Sequence, residues 1–461
     1  MLLFFMIGFL LLGGLYALIL RRWRWGIYGI IAFIPFAGLP TLLLYPAPAW
    51  TRVLKDLLFV LPAYFSFLLC LLMRPGSLRP HFKAAPAIPI VLFGVLGVIH
   101  LLNPALINLM VGLIGLRTWL FYVPMLFLGF HLVTSKAHLI SLSKFILFMA
   151  AIPAGFGIVQ AALYYNGNRE LAYAVYGEAA SDATQLFTSF SSAGDSFGLV
   201  RLPSLFSFVT QYGLFLLSMM PVAYFMAFRP TCPLRARFLY IGVLTLIVLA
   251  GFASGARAMF VIMPGFLLLT IVLSDKARRV IKRVIMMGGM TLAGLILMGG
   301  FLGGGLGKLM GFISEVTVSY LSGALYENIG TALDATWIGF GPGMATGPAR
   351  FAFGSVDEAF AASPGIESHY AKAIYELGIP GLLLTLAILG RLLWVGYVHF
   401  KRLHDPDLKI FGAGLFALLI TTAVYLMKGS VLDYDPLNIY FWLFAGMLMK
   451  LPQLEEAGYN P

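Results

Sequence analysis

The residues best suited to chemistry gather in one stretch, Glu367-Ser368-His369-Tyr370, continued by Lys372, Glu376 and Gly378-Ile379-Pro380-Gly381. It follows a long polar segment and opens an apolar run, Leu382 to Val398, long enough to enter a membrane. This setting predicts a histidine in the first turn of a helix at a water-facing boundary. The positive end of the helix dipole disfavours an imidazolium there, so the neutral form, able to accept a proton, is favoured. An interfacial histidine without chemistry would look the same in isolation. The distribution of the chain's other charges separates the two readings.

That distribution rests on where the chain crosses a membrane. Of 461 residues 60% are hydrophobic and 11% charged, and soluble domains carry about a quarter charged residues. Thirteen apolar segments approach spanning length: Leu2–Leu20, Gly26–Tyr45, Leu54–Met73, Ala87–Leu102, Trp119–Thr134, Phe145–Tyr164, Leu205–Phe228, Phe238–Phe252, Met259–Leu273, Val284–Leu302, Ala371–Val398, Phe411–Leu426 and Leu437–Met449. The second holds Pro35, Gly38 and Pro40 and is expected to break. The last is short, so the count is twelve or thirteen. The expected fold is an all-α polytopic membrane protein forming one domain over residues 1–461.

Lys and Arg crowd alternate loops: Arg21, Arg22 and Arg24; Arg74, Arg79 and Lys83; Lys136 and Lys144; Arg229, Arg235 and Arg237; Lys276 to Arg283; Lys401 and Arg402. Those loops are assigned to the cytoplasm, which also accounts for the net charge of +12 without nucleic acid. The N-terminus is then outside, on an uncleaved first span, because its charge follows the apolar run rather than preceding it. Two outer loops are long, 166–201 and 303–371, and loops of that size are where function is expected. The two cysteines, Cys70 and Cys232, suggest neither a disulfide nor a metal site.

Against this topology, the outward cations stand out: Arg52 and Lys55 before the third span, Arg117 before the fifth, Arg201 before the seventh, and Arg257 between the eighth and ninth. Each alone would serve as an anchor at the headgroups. Several arginines with a histidine at one membrane face suit a reaction on a lipid-linked phosphate, since the guanidinium fork matches phosphate oxygens. In that reading the catalytic residues are His369 as general base on an acceptor hydroxyl, and Arg201 and Arg257 as pyrophosphate binders that stabilise the leaving group. Arg117, Arg52 and Lys55 would support the phosphates or line the lipid entrance. Glu367 would orient the acceptor or be a solvated loop carboxylate, and Tyr370 would offer a hydroxyl or a stacking face. The turn Gly339-Phe340-Gly341-Pro342-Gly343 lets backbone approach closely, either to a phosphate or sugar or simply to another segment.

Four stretches carry a resemblance: Arg201-x-x-Ser-x-Phe-Ser, Ser254-Gly255-Ala256-Arg257, the glycine turn, and His369-Tyr370 leading into Glu376-Leu377-Gly378-Ile379-Pro380-Gly381. In this order they resemble the O-antigen ligase and O-antigen polymerase superfamily of bacterial inner-membrane glycosyltransferases. Where that family often has Asn after the histidine, this chain has Tyr370. The resemblance implies a GT-C-like fold with a long periplasmic loop before the histidine-bearing helix. It implies metal-independent, cofactor-free transfer of a glycan from undecaprenyl pyrophosphate to an acceptor hydroxyl, on the periplasmic side of the inner membrane. The acceptor is a second lipid-linked repeat unit in an O-antigen or exopolysaccharide polymerase, or a lipid A core sugar or protein in a ligase. A chain-length regulator or flippase is the partner it suggests. The competing class is a lipid-linked oligosaccharide flippase or other transporter, which would place charges near the bilayer midplane in repeated halves. A non-catalytic scaffold would leave the outward arginines unexplained.

Overall fold

Each of the thirteen apolar segments folds as helix in the computed structural model, which describes residues 2–44, 48, 50–73, 86–176, 200–274, 277–301, 328–345 and 366–459. Without water, backbone N–H and C=O groups must be satisfied within the segment, and no strand occurs among the described residues. The first half comprises α1 (Leu2–Arg21), α2 (Arg24–Phe33), α3 (Leu39–Leu43), α4 (Trp50–Lys55), α5 (Leu61–Met73), α6 (Ala87–His100), α7 (Leu109–Leu120), α8 (Met125–Leu132), α9 (Lys136–Tyr165) and the short α10 (Arg169–Tyr173). The second half comprises α11 (Val209–Phe228), α12 (Leu234–Ala253), α13 (Met259–Ser274), α14 (Ala277–Phe301), α15 (His369–Lys401), α16 (Pro406–Tyr425) and α17 (Leu437–Tyr459). Among the described residues seven helices are long and apolar enough to cross a membrane, and four shorter apolar ones accompany them. The protein is an all-α polytopic membrane protein.

The expected break in the second segment is present: α2 stops at Phe33, a 3₁₀ turn covers Ile34–Phe36, and α3 restarts with Pro40 in its first turn. Other boundaries move. Arg117 does not precede a span; it lies in the last turn of α7, whose start at Leu109 is capped by Asn108 accepting from Val111 N at 2.8 Å. The fifth span therefore begins ten residues earlier than its apolar core suggests and runs on through α8 to Leu132. Likewise α9 starts at Lys136, with Ser135 as its cap. Lys55 closes α4 and is followed by a π-helical turn, Asp56–Val60, that joins it to α5. Single π turns of this kind often mark functional positions.

The two ends of the bundle are defined by polar contacts. At one end Lys136 at the start of α9 meets Asp405 and Asp407 at the start of α16, at 2.8 and 3.0 Å. Thr231, just past α11, donates to Asp407 at 2.6 Å, and Glu455 of α17 accepts from the N–H groups of His404 and Asp405. All of these belong to the Lys/Arg-rich set of loops. Following α9, α12, α15 and α16 to their other ends brings Tyr165, Ser254, His369 and Leu426 to the opposite end. Between the ends, helices approach closely at small residues: a Cβ on Gly446 of α17 would lie 1.9 Å from Leu126 O of α8.

Candidate functional site

His369 opens α15, with its N–H donating to Leu426 O at 3.0 Å, so one orphan donor of the helix start is satisfied by the end of α16. The first part of α15 ends at Gly378, whose φ of +71° is a conformation open to glycine at little cost. Pro380 then starts the spanning part, where a missing N–H costs nothing. The glycine turn docks into this break. Phe340 and Gly341 donate to the carbonyls of Tyr375 and Glu376, and Ile379 N donates to Trp337 O at 3.0 Å. Gly343 presses on Val111 O of α7, and Asn103 holds Gly339 O at 2.8 Å. The N–H groups of Phe340 and Gly341 are thus spent on α15, and the turn is a clasp between α7 and α15.

The spacing 369, 372, 376 puts His369, Lys372 and Glu376 on one face of the helix, and all three are buried. Lys372, 0% exposed, forms a 2.5 Å ion pair with Asp433 and lies 4.2 Å over the ring of Trp119. Trp119 in turn donates Nε1 to Glu376 at 2.7 Å, and the other Glu376 oxygen accepts from Ala345 N at 3.0 Å. The imidazole packs against the same indole, centroids 4.6 Å apart, and its Nδ1 faces Asp433 Oδ1 at 4.0 Å without a hydrogen-bond partner. Burial pushes the Asp433 carboxyl above its ordinary range; the charge and hydrogen bond of Lys372 pull it back, and Glu376 adds to the rise. His369, Trp119, Thr118, Thr385 and Asn438 line a cavity of about 50 Å³ whose wall includes neither Arg201 nor Arg257.

The sequence-predicted cations fall into two groups. Lys55 and Arg117 belong to one ion-pair network around Asp56, in which Lys55 and Asp56 are buried and the Arg117 side chain is 37% exposed. Lys55 Nζ pairs with Asp435 at 2.6 Å and Asp56 at 3.5 Å, Arg117 pairs with Asp56, and Tyr122 donates to Asp56 at 2.7 Å. Both cations are therefore balanced by protein carboxylates. Arg201 and Arg257 meet elsewhere at the same end of the bundle. Leu202 N donates to Ser254 O at 2.9 Å, and a Cβ on Gly255, at φ +70°, would lie 2.1 Å from Val200 O. The two arginine segments are locked backbone to backbone. Behind them Ser204, at φ +55°, is held from every side: its N–H by Gln160, its hydroxyl by Pro153 O, its carbonyl by Tyr176.

Glu367 is exposed and pairs with Lys428 at 2.5 Å, and the Tyr370 hydroxyl donates to Ala423 O at 2.8 Å. The side chain of Arg52 lies outside the described residues, as do residues 177–199, 302–327 and 346–365 of the two long loops. Trp119, Asp433 and Asp435 were not singled out from sequence. The signal for the acids was present: two carboxylates within Val431–Asp435, a short loop between two apolar segments. Among the described residues no group of three or more His, Cys, Asp or Glu side chains converges on a position for a metal ion. No protein-family model matches the chain, and no curated protein resembles it in sequence to a significant degree.

Proposed function

We propose that the protein is a glycosyltransferase of the bacterial inner membrane. It moves a glycan from undecaprenyl pyrophosphate to an acceptor hydroxyl at the periplasmic face, without a metal ion, as a polymerase of O-antigen or exopolysaccharide repeat units. The observation that carries this reading is the locked Arg201–Arg257 junction at the same end of the bundle as the buried, partner-poor imidazole of His369. Two guanidinium forks suit the oxygens of a pyrophosphate and the charge that develops on it as it leaves. His369 takes the acceptor's proton. Lys55 and Arg117, already balanced by Asp56 and Asp435, shape the surroundings instead of binding phosphate.

The test uses purified protein, undecaprenyl-pyrophosphate-linked glycan and a chelator, with and without a lipid A core acceptor. A ladder of lengthening lipid-linked products in the absence of that acceptor is the expected result. A single product formed only with lipid A core present would make the protein a ligase. No product from either mixture, with well-folded protein, would reject the reading.

A further inference from the structure

We infer that Asp433 is a positioning residue for His369, set in place by Lys372 so that its carboxylate receives the Nδ1–H of the imidazole as Nε2 takes a proton. The inference rests on the transferase reading and deepens it. It stands on a closed set of contacts that the fold goes to some length to build. Asp433 sits in a 3₁₀ turn, Val431–Asp433, 61 residues from Lys372 in sequence, yet the pair closes at 2.5 Å with the two side chains only 8% and 1% exposed. Lys372 is one helical turn beyond His369, so the carboxylate that it holds is presented to the imidazole edge. Trp119 covers both groups of this arrangement, the imidazole at 4.6 Å and the ammonium at 4.2 Å, and is itself fixed through Glu376.

The Nδ1 atom of His369 is buried and makes no hydrogen bond, and the nearest acidic oxygen is Asp433 Oδ1 at 4.0 Å. A buried polar nitrogen without a partner is costly in a resting fold. It becomes useful if the imidazole carries a positive charge for part of the cycle. The charged groups that face the pair are Lys372 and Glu376 from α15 and Asp433 from the turn before α17; Asp435 of the same turn is engaged by Lys55. From α7 the neighbour is the uncharged Trp119.

In the reaction, the acceptor O–H bond breaks and its proton goes to Nε2 of His369. The acceptor oxygen forms a bond to the anomeric carbon. The bond from that carbon to the pyrophosphate oxygen breaks, and its electron pair leaves with the lipid pyrophosphate. The imidazolium then passes its proton to solvent. Asp433 touches none of these atoms. It keeps Nδ1 protonated, so that Nε2 is the basic nitrogen, and closes on Nδ1–H while the charge exists.

The experiment compares wild type, Asp433→Asn, Asp433→Glu and the double variant Asp433→Asn/Lys372→Met in the chelator-treated transfer assay, each as a kcat–pH profile. Asp433→Asn is expected to lower kcat by about a hundredfold, to leave KM for the lipid donor unchanged, and to move the acidic limb of the profile to lower pH. The limb moves that way because the charged imidazole loses its carboxylate. Asp433→Glu is expected to restore most of the rate. The double variant removes both buried charges together, so it recovers folding if the single variant misfolds on an unpaired Lys372. It should still lack the rate and the limb. A well-folded single or double variant with wild-type kcat and an unmoved limb overturns the inference while leaving the transferase reading intact. A wild-type protein inactive in every donor and acceptor mixture overturns the parent reading instead.

Discussion

The bundle carries a charged cluster at each end, and the two are built from the same residue types to opposite effect. At the Lys136 end, Asp405 caps α16, accepting from the N–H groups of Asp407 and Leu408, while Lys136 bridges it from α9. These groups are half in water and satisfy helix ends that would otherwise be bare. At the His369 end, Lys55, Lys372, Asp56 and Glu376 are buried, and the Asp433 side chain is only 8% exposed. Buried ion pairs contribute little net stability once desolvation is counted, so this cluster is not explained by holding the fold together. The pH signs agree. Burial is the largest single influence on Asp405 and pushes its carboxyl up, but Lys136 and the two N–H groups together outweigh it and hold the carboxyl low. Its stabilisation is present above the unfolded carboxylate value and is lost as pH falls through the folded value. Asp433 is held high, so its contribution is present below the unfolded value and lost as pH rises through the folded one. At neutral pH the Asp405 carboxylate supports the fold, whereas the raised Asp433 carboxyl works against it.

The sharpest way to break this contrast is at the proposed chemistry. His369→Ala, Arg201→Ala and Arg257→Ala are each expected to cut transfer by at least about a hundredfold while the protein remains in the membrane at normal level. Normal glycan output from the His369 variant would remove the base assignment. Arg257→Lys should fail nearly as badly, since lysine keeps the charge but not the fork; a fully active lysine variant would show that charge alone suffices.

Next in size is Lys372→Met. It strands the Asp433 carboxylate in a buried site and is expected to cost about 3–5 kcal/mol, read as a lower melting midpoint in detergent. An unchanged midpoint would mean that the pair is not buried in the membrane-embedded protein. Gly378→Ala should lose roughly 1–2 kcal/mol for the left-handed backbone, and more because the new Cβ would lie 2.4 Å from Ile338 O. A neutral outcome would show that the glycine clasp is not docked there. Smallest is Asp405→Asn, with a loss of at most about 1 kcal/mol at neutral pH. That difference from wild type should shrink as pH drops below about 4, the ordinary carboxylate value, and vanish only below the lowered folded value. A difference that does not shrink at all as pH falls below about 4 would contradict the cap-and-bridge role.

The spans were legible because spanning length is a local property of sequence. So was the placement of His369 at a helix start, because the change from polar loop to apolar helix occurs within a few residues. The common end of Arg201, Arg257 and His369 followed from loop charge alone. The partners were not legible. Lys55 meets Asp435 across 380 residues, and Trp119 meets Glu376 across 257, and nothing local to either residue records such a contact. The same gap displaced the helix boundaries. A charge such as Arg117 reads as the edge of a span when its counter-ion is invisible; with Asp56 against it, the helix carries it inward. The glycine turn, open to two readings in sequence, resolved to the simpler one because the break at Gly378 offers carbonyls that fit it.

That break has a mechanical consequence. A rigid spanning helix transmits bilayer thickness to whatever it carries, since a thicker or thinner hydrocarbon layer changes its tilt. Here the nine residues from His369 to Leu377 are tied to Leu426 O and to the clasp at residues 337–345, and a left-handed step separates them from the spanning portion. The step at Gly378 is the point at which tilting of the long arm would be taken up. The imidazole is positioned by its neighbours in the protein, so its geometry is expected to vary little between bilayers of different thickness.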